Sequence, residues 1–173
     1  MLLGVMLLLG LGAGGTAGAM HYGVIASNEP TGPDLPKLIK KGGEDPYQLA
    51  SDNDGDTAGI VDGEGGSEYR TSYYKFEEGF TSNLKNSTGL IQVSMAASTR
   101  RDGRVLQWIK RHELAVRSAM LVELANTSED DAYSVEGKAK LQDRLAQAVN
   151  GVLESKEGFG GVDKIYFLTY LVQ

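Results

Sequence analysis

A chain of 173 residues with 17 Lys and Arg against 23 Asp and Glu, a formal net charge of −6, is one domain with room for appendages. The acidic balance argues against binding a phosphate backbone, so nucleic acid is not an expected partner. The absence of cysteine excludes disulfides and thiolate metal sites and leaves the compartment open.

Residues 1–20, MLLGVMLLLGLGAGGTAGAM, carry no charged side chain. About 20 apolar residues suffice to span a bilayer core, which makes this run a transmembrane anchor with small residues from Gly10 to Gly18 for helix packing. A cleaved signal peptide is the competing reading, because Ala17-Gly18-Ala19 fits the cleavage pattern. Neither reading has a basic n-region: the first cations are Lys37, Lys40 and Lys41, on the C-terminal side.

Residues 21–69 hold all four prolines, many glycines and runs of Asp and Glu. No apolar period persists there, so the composition predicts a flexible linker that cannot offset its own ordering entropy. Asp52 to Asp56, DNDGD, resembles the start of a calcium loop. An EF-hand needs Gly at the sixth position and Glu at the twelfth, where this chain has Thr57 and Gly63, so calcium is not expected.

A domain is expected over 70–173. Tyr73, Tyr74, Phe76 and Phe80 give the stretch before Leu84 strand density, and Asn86 to Gly89 is a turn. LIQVSMAAST at 90–99 alternates, with Ile91, Val93, Met95 and Ala97 on one side. The two strands are expected to pair antiparallel. From Arg104 the pattern is helical, with Asp102 as N-cap and Leu106, Ile109, Val116, Met120 and Leu124 near one face, widened by Leu114 and Leu121. The acidic Glu129 to Asp131 reads as a solvated loop between helices. Ser134 caps a second helix with apolar positions Leu141, Leu145, Ala148, Val149 and Val152. After Gly158 to Gly161 the last strand places Ile165, Phe167, Thr169 and Leu171 on one face and Tyr166, Leu168, Tyr170 and Val172 on the other. Both faces are mostly apolar, so the strand is expected to be covered on both and to sit centrally, with Leu171 buried. The order predicts an α+β domain with a small antiparallel or mixed sheet and two helices.

Catalytic constellations are thin. His21 and His112 are the two histidines, and no second imidazole or carboxylate stands at a metal-binding spacing from His112. No phosphate loop, cofactor motif or metal set is present, and no enzyme is expected. A hydrolase would need a nucleophile and base within reach. The distinctive surface is basic: Arg100, Arg101, Arg104, Arg111 and Arg117, with Trp108 among them. These residues, together with Tyr166 and Tyr170 of the last strand, are the candidate interaction surface. A solvated basic face and a core Trp are the plainer readings of the same residues.

EGKAKLQDRLAQAVNGVL at 136–153, a Gly-containing break, and VDKIYFLTYLVQ at the end of the sequence resemble FliL, the flagellar basal-body-associated family. YYKFEEGFTSNL at 73–84 is similar to that family's first strand, and KRHELAVRSAMLVEL at 110–124 to its long helix. Where the family often has Arg-Asp in that helix, this chain has Arg117-Ser118. Relatives usually carry a Lys/Arg-rich stretch before the span, whereas Met1 here opens into it, so the true start is expected upstream. The resemblance implies a single-pass protein of the bacterial inner membrane, with a periplasmic stomatin/prohibitin-like domain that assembles into homo-oligomeric rings. It also implies association with the flagellar basal body and motor stator proteins in support of torque and motility, and it favours the retained anchor. A secreted periplasmic binding module, processed after Ala19 and holding a concave apolar pocket, is the alternative.

Overall fold

In the computed structural model, which describes residues 34–48, 60–61 and 63–173, the alternating run at 90–99 is the spine of a sheet. The elements in chain order are β1 (Ile60–Val61), β2 (Thr71–Lys75), β3 (Phe80–Asn83), β4 (Leu90–Thr99), α1 (Arg104–Arg111), α2 (Glu113–Ala125), α3 (Glu129–Tyr133), α4 (Val135–Glu157) and β5 (Lys164–Val172). The fold is α+β with an antiparallel sheet. The expected anchor at 1–20 and the DNDGD stretch lie outside the described residues. Among the described residues no helix is long and apolar enough to cross a membrane.

The aromatic stretch before Leu84 forms two strands rather than one. β2 pairs with the C-terminal half of β4 and β3 with its N-terminal half, both antiparallel along one edge. β5 pairs antiparallel along the other edge of β4 from Ile91 to Ser98. The last strand is therefore bonded into the sheet, but at an edge and not in the centre. Its end is tied down: Leu90 and Gln173 exchange both backbone hydrogen bonds, at 2.8 and 2.9 Å.

The register of β5 also departs from simple alternation. Ser94 lies opposite Thr169 while Met95 lies opposite Phe167, which leaves Leu168 as an extra residue. Such a bulge reverses the faces of every residue beyond it. Phe167 and Tyr170, three apart, consequently share a face, with ring centroids 4.9 Å apart. Ile165 is fully buried and Phe167, Tyr170 and Val172 pack against the core. Leu168 and Leu171 remain about half exposed, so the expected burial of Leu171 does not hold.

All four helices lie on the face of the sheet lined by Tyr74, Phe76, Phe80, Ile91, Val93, Met95, Ala97 and Ile165. Val105, Leu106, Ile109, Val116, Met120 and Leu124 are buried as their period requires. Leu114 and Leu121 are not, because none of the described elements packs on that flank of α2: Leu114 is 88% exposed. The single helix expected from Arg104 breaks at His112, whose φ of −105° and ψ of 21° separate α1 from α2. Its imidazole Nε2 meets Glu157 Oε1 at 2.7 Å. Asp102 does not cap α1. Gly103 occupies that position, and Asp102 accepts the Arg104 N–H at 3.2 Å instead.

α4 follows its sequence signals closely. Ser134 Oγ accepts the Gly137 N–H at 3.0 Å, a cap of about 1 kcal/mol. Leu141, Leu145 and Val149 are fully buried as expected, each contributing roughly 1.5–3 kcal/mol by transfer from water, and Leu153 joins them, whereas Ala148 and Val152 are only partly buried. Gly158 closes the helix in the left-handed region at φ 78°, where a side chain is disfavoured. The acidic stretch read as a loop is the short helix α3, capped by Ser128, which accepts from the Asp131 N–H.

The compact unit begins at Leu35, not at residue 70. Residues 35–48 form a strap laid between the segment before β2 and the segment after β4. Isolated antiparallel bridges join Leu38 to Arg101 and Lys40 to Tyr69. Backbone bonds run from Ile39 N–H to Arg100 O, from Arg70 N–H to Ile39 O and from Asp102 N–H to Lys37 O. Part of the expected linker is thus a docked piece of the domain.

Candidate interaction surface

The basic residues after β4 are held by the fold's own groups. Arg100 forks onto Asp163, with Nε 3.1 Å from Oδ2, and also donates its backbone N–H to that carboxylate. Arg101 donates to Pro36 O at 2.8 Å and its guanidinium covers the Phe159 ring at 4.7 Å. Arg104 binds both Asp102 oxygens at 2.9 Å, donates to Leu35 O at 2.9 Å and covers the Tyr47 ring at 4.4 Å. Two of these three arginines therefore clasp the strap.

Asp102 stands at the middle of that clasp. Burial opposes its ionisation, but the Arg104 guanidinium and the Lys37 and Arg104 N–H groups outweigh burial and hold the carboxyl below its ordinary range. The Lys37 bond to it is 2.7 Å.

The other candidates lie elsewhere. Arg111 is mostly exposed and pairs with Glu157 at 3.1 Å. Hydrogen bonding from His112, assisted by Arg111, lowers the Glu157 carboxyl against a smaller opposing effect of burial. Arg117 donates to Glu78 O and Gly79 O at 2.9 and 3.0 Å and covers the Phe80 ring, fixing the turn between β2 and β3. Trp108 is partly buried against the core. Tyr166 packs edge-on against Tyr73, centroids 5.8 Å apart. Tyr170 has its hydroxyl on Ala132 O at 2.9 Å, and burial raises its pKa. The candidates do not converge on one site. Arg101 and Arg104 come together at the strap, while the rest brace separate junctions.

Sequence reasoning missed the pair at the centre of the strap. Arg70 and Asp45 form an ion pair whose side chains are 5% and 0% exposed. The Asp45 carboxylate also accepts the Gly103 N–H at the start of α1 and the Tyr47 N–H of the strap itself, each at 2.9 Å. Tyr47 O then accepts from Gln107 at 2.8 Å. A signal for Arg70 was present: it is in phase with Ser72, Tyr74 and Phe76, all facing inward, and an inward arginine demands a buried carboxylate. Nothing comparable marked Asp45 among its acidic neighbours.

Apolar side chains are accessible beside the exposed charges, Tyr133 and Val135 at the α3–α4 junction among them. Leu114, Leu121 and Val122 recur on the outer side of α2, and Leu90, Leu168 and Leu171 lie at the β5 side of the sheet. Among the described residues no group of three His, Asp or Glu could hold a metal ion. A shallow depression of about 480 Å³ lies beside Phe159, Asn150 and Arg101.

The model of a flagellar basal body-associated protein family, FliL, matches residues 73–173. The chain belongs to the FliL family. The match runs from β2 through β5 and reaches the last residue, so it takes in all four helices and the terminal strand. Arg70, Asp45 and the whole strap fall outside it. FliL-family membership carries the association with the flagellar basal body and with motility. No curated protein matches the chain.

Proposed function

We propose that this FliL-family chain is a non-enzymatic accessory of the flagellar motor. Residues 1–20 anchor it in the inner membrane by a single pass, and residues 35–173 work in the periplasm beside the stator proteins. There a stomatin/prohibitin-like domain assembles with copies of itself into a ring that supports torque. The family match over 73–173 is the observation that carries this reading.

The distribution of exposed apolar surface supports assembly. α2 lies over β3 and α4 over β5, so Leu114, Leu121 and Val122 occupy one flank of the unit and the β5 edge the other. Two different patches on opposite flanks favour head-to-tail contacts, which close into rings when the rotation permits. Tethering to one membrane raises the effective concentration for such contacts.

Deleting the gene should weaken swimming, most under high load, and a fluorescent fusion should form spots at flagellar bases. Carbonate washing should leave the protein in the membrane pellet, and crosslinking in membranes should give a ladder of oligomers. Normal motility with diffuse fluorescence would refute the motor assignment. Release by carbonate would refute the anchor and favour a processed periplasmic protein.

A further inference from the structure

The strap is held in a way unlike the rest of the unit. Of the apolar residues in 35–48 only Pro36 is buried, and Leu35, Leu38 and Tyr47 are each more than one-third exposed. No large apolar side chain of the strap enters the core. It is attached by backbone hydrogen bonds, by the Asp45 carboxylate on Arg70 and the Gly103 N–H, and by the Arg101 and Arg104 guanidiniums on its carbonyls. Segments with few buried apolar contacts open at lower free energy than the core.

The seat nevertheless fits closely. A Cβ on Gly103 would lie 2.1 Å from Tyr47 O, so only glycine allows the strap to approach there. Arg70 is 4% exposed, and its Nε has no hydrogen-bond partner while Nη2 holds Asp45. The seat is a preformed cationic slot with an internal carboxylate in it.

We propose that residues 35–48 are a latch that opens as a unit while the domain stays folded. Closed, the latch makes Leu35 the point where the chain leaves the domain and covers Arg70, Arg101 and Arg104. Open, it moves that point to β1 and uncovers the three arginines for an acidic segment of a partner. The shift from Leu35 to Ile60 adds about 25 residues of tether, up to ~80–90 Å of extended chain. This use as a tether rests on the membrane-anchored reading above; the latch itself does not.

Hydrogen exchange on the full chain in detergent micelles tests the latch. The amides of Ile39, Lys41, Arg70, Asp102 and Gly103 should exchange together, at least about tenfold faster than the β4 amides. Gly103→Ala should speed that group by a further factor of about ten, leaving the β4 amides and the thermal midpoint unchanged. Exchange of the strap amides at the β4 rate would overturn the proposal, as would a Gly103→Ala change that lowers the midpoint in step.

A lock gives an independent arm that does not depend on a destabilised variant. Lys40 and Tyr69 are a non-hydrogen-bonded antiparallel pair, flanked by the Lys41 N–H to Glu68 O and Arg70 N–H to Ile39 O bonds. Such pairs stand about 4.5 Å apart at Cα, within disulfide reach. With no native cysteine, Lys40→Cys with Tyr69→Cys should form one bond. That bond should slow the strap amides to the β4 rate until reductant is added; fast exchange persisting in the oxidised form would overturn the latch. In cells, reduced swimming in the locked strain, restored by reductant, supports the tether role. Normal swimming of the locked strain overturns that role alone, whereas normal swimming of a gene deletion overturns the motor assignment.

Discussion

Removing Tyr170 to Gln173 should unfold the domain rather than trim a tail. The truncation breaks the Leu90–Gln173 pair of backbone bonds and the Tyr170 hydroxyl bond to Ala132 O, each worth about 1 kcal/mol. It also removes the half-buried rings and methyls of Tyr170 and Val172, roughly 1–2 kcal/mol apiece. Ile91 and Val93, now fully buried opposite them, would meet water. The total, about 5–7 kcal/mol, rivals the stability of a small domain, roughly 5–15 kcal/mol. Thermal unfolding of the full chain in micelles, followed by circular dichroism, should show a midpoint lower by ~15–28 °C at about 3–4 °C per kcal/mol, or no transition at all. Leu171→Ala is the control. Leu171 is 48% exposed and should lose no more than about 1 kcal/mol. An unchanged midpoint on truncation, or a larger loss from Leu171→Ala than from Tyr170→Ala, would refute the placement of the bulge and of the core face.

Ser134→Ala removes the α4 cap and should lower stability by about 1 kcal/mol, read as a smaller urea midpoint at constant slope. Gly158→Ala meets no neighbour but must hold φ at 78°, so a loss of about 1 kcal/mol is expected in the same assay. Asp102 has a folded pKa below its ordinary value, so the stability it contributes is complete above about pH 4 and disappears as pH falls through the lower folded value. Strap protection should decline over that acid window, and Asp102→Asn should flatten the dependence. Leu114→Lys should leave the melting midpoint within about 0.5 kcal/mol of the parent while reducing oligomer ladders in membrane crosslinking.

Where burial follows a period, the sequence was readable. Leu141, Leu145 and Val149 gave α4 its inward face, and Ile91, Val93, Met95 and Ala97 the inner face of β4. Leu114 and Leu121 broke the pattern because periodicity places residues on a helix, while the presence of a neighbour decides which arc is covered. The flank of α2 bearing Glu123 meets α4 through Arg144 at 3.2 Å; the opposite flank meets nothing among the described residues. The strap was hidden for a different reason. It is attached by main-chain groups and ion pairs, which leave no hydrophobic rhythm, and its Gly, Pro and Asp content imitates a linker. Of the candidate surface, the cluster around Arg101 and Arg104 was visible as charge, but its engagement by Asp102 and the strap carbonyls required the tertiary fold. The bulge at Leu168 was illegible because both faces of the last strand are apolar, so either phase of alternation reads equally well.

That bulge bears on how the protein stays dispersed at high local density. An uninterrupted outer strand of nine residues, with Tyr, Phe and Leu on it, is a template on which strands from other chains stack without end. Leu168 interrupts the template in the middle, leaving 164–167 and 169–172 as two short runs out of line with one another. Lys164 places a charge at the start of the first, and Ser94 and Thr169 join their hydroxyls at 2.6 Å beside the start of the second. A strand arriving from solvent finds only about half a ladder at a time, too few bonds to seed a fibril. At high concentration, copies of this domain are thereby steered away from endless strand stacking and toward contacts made by side chains.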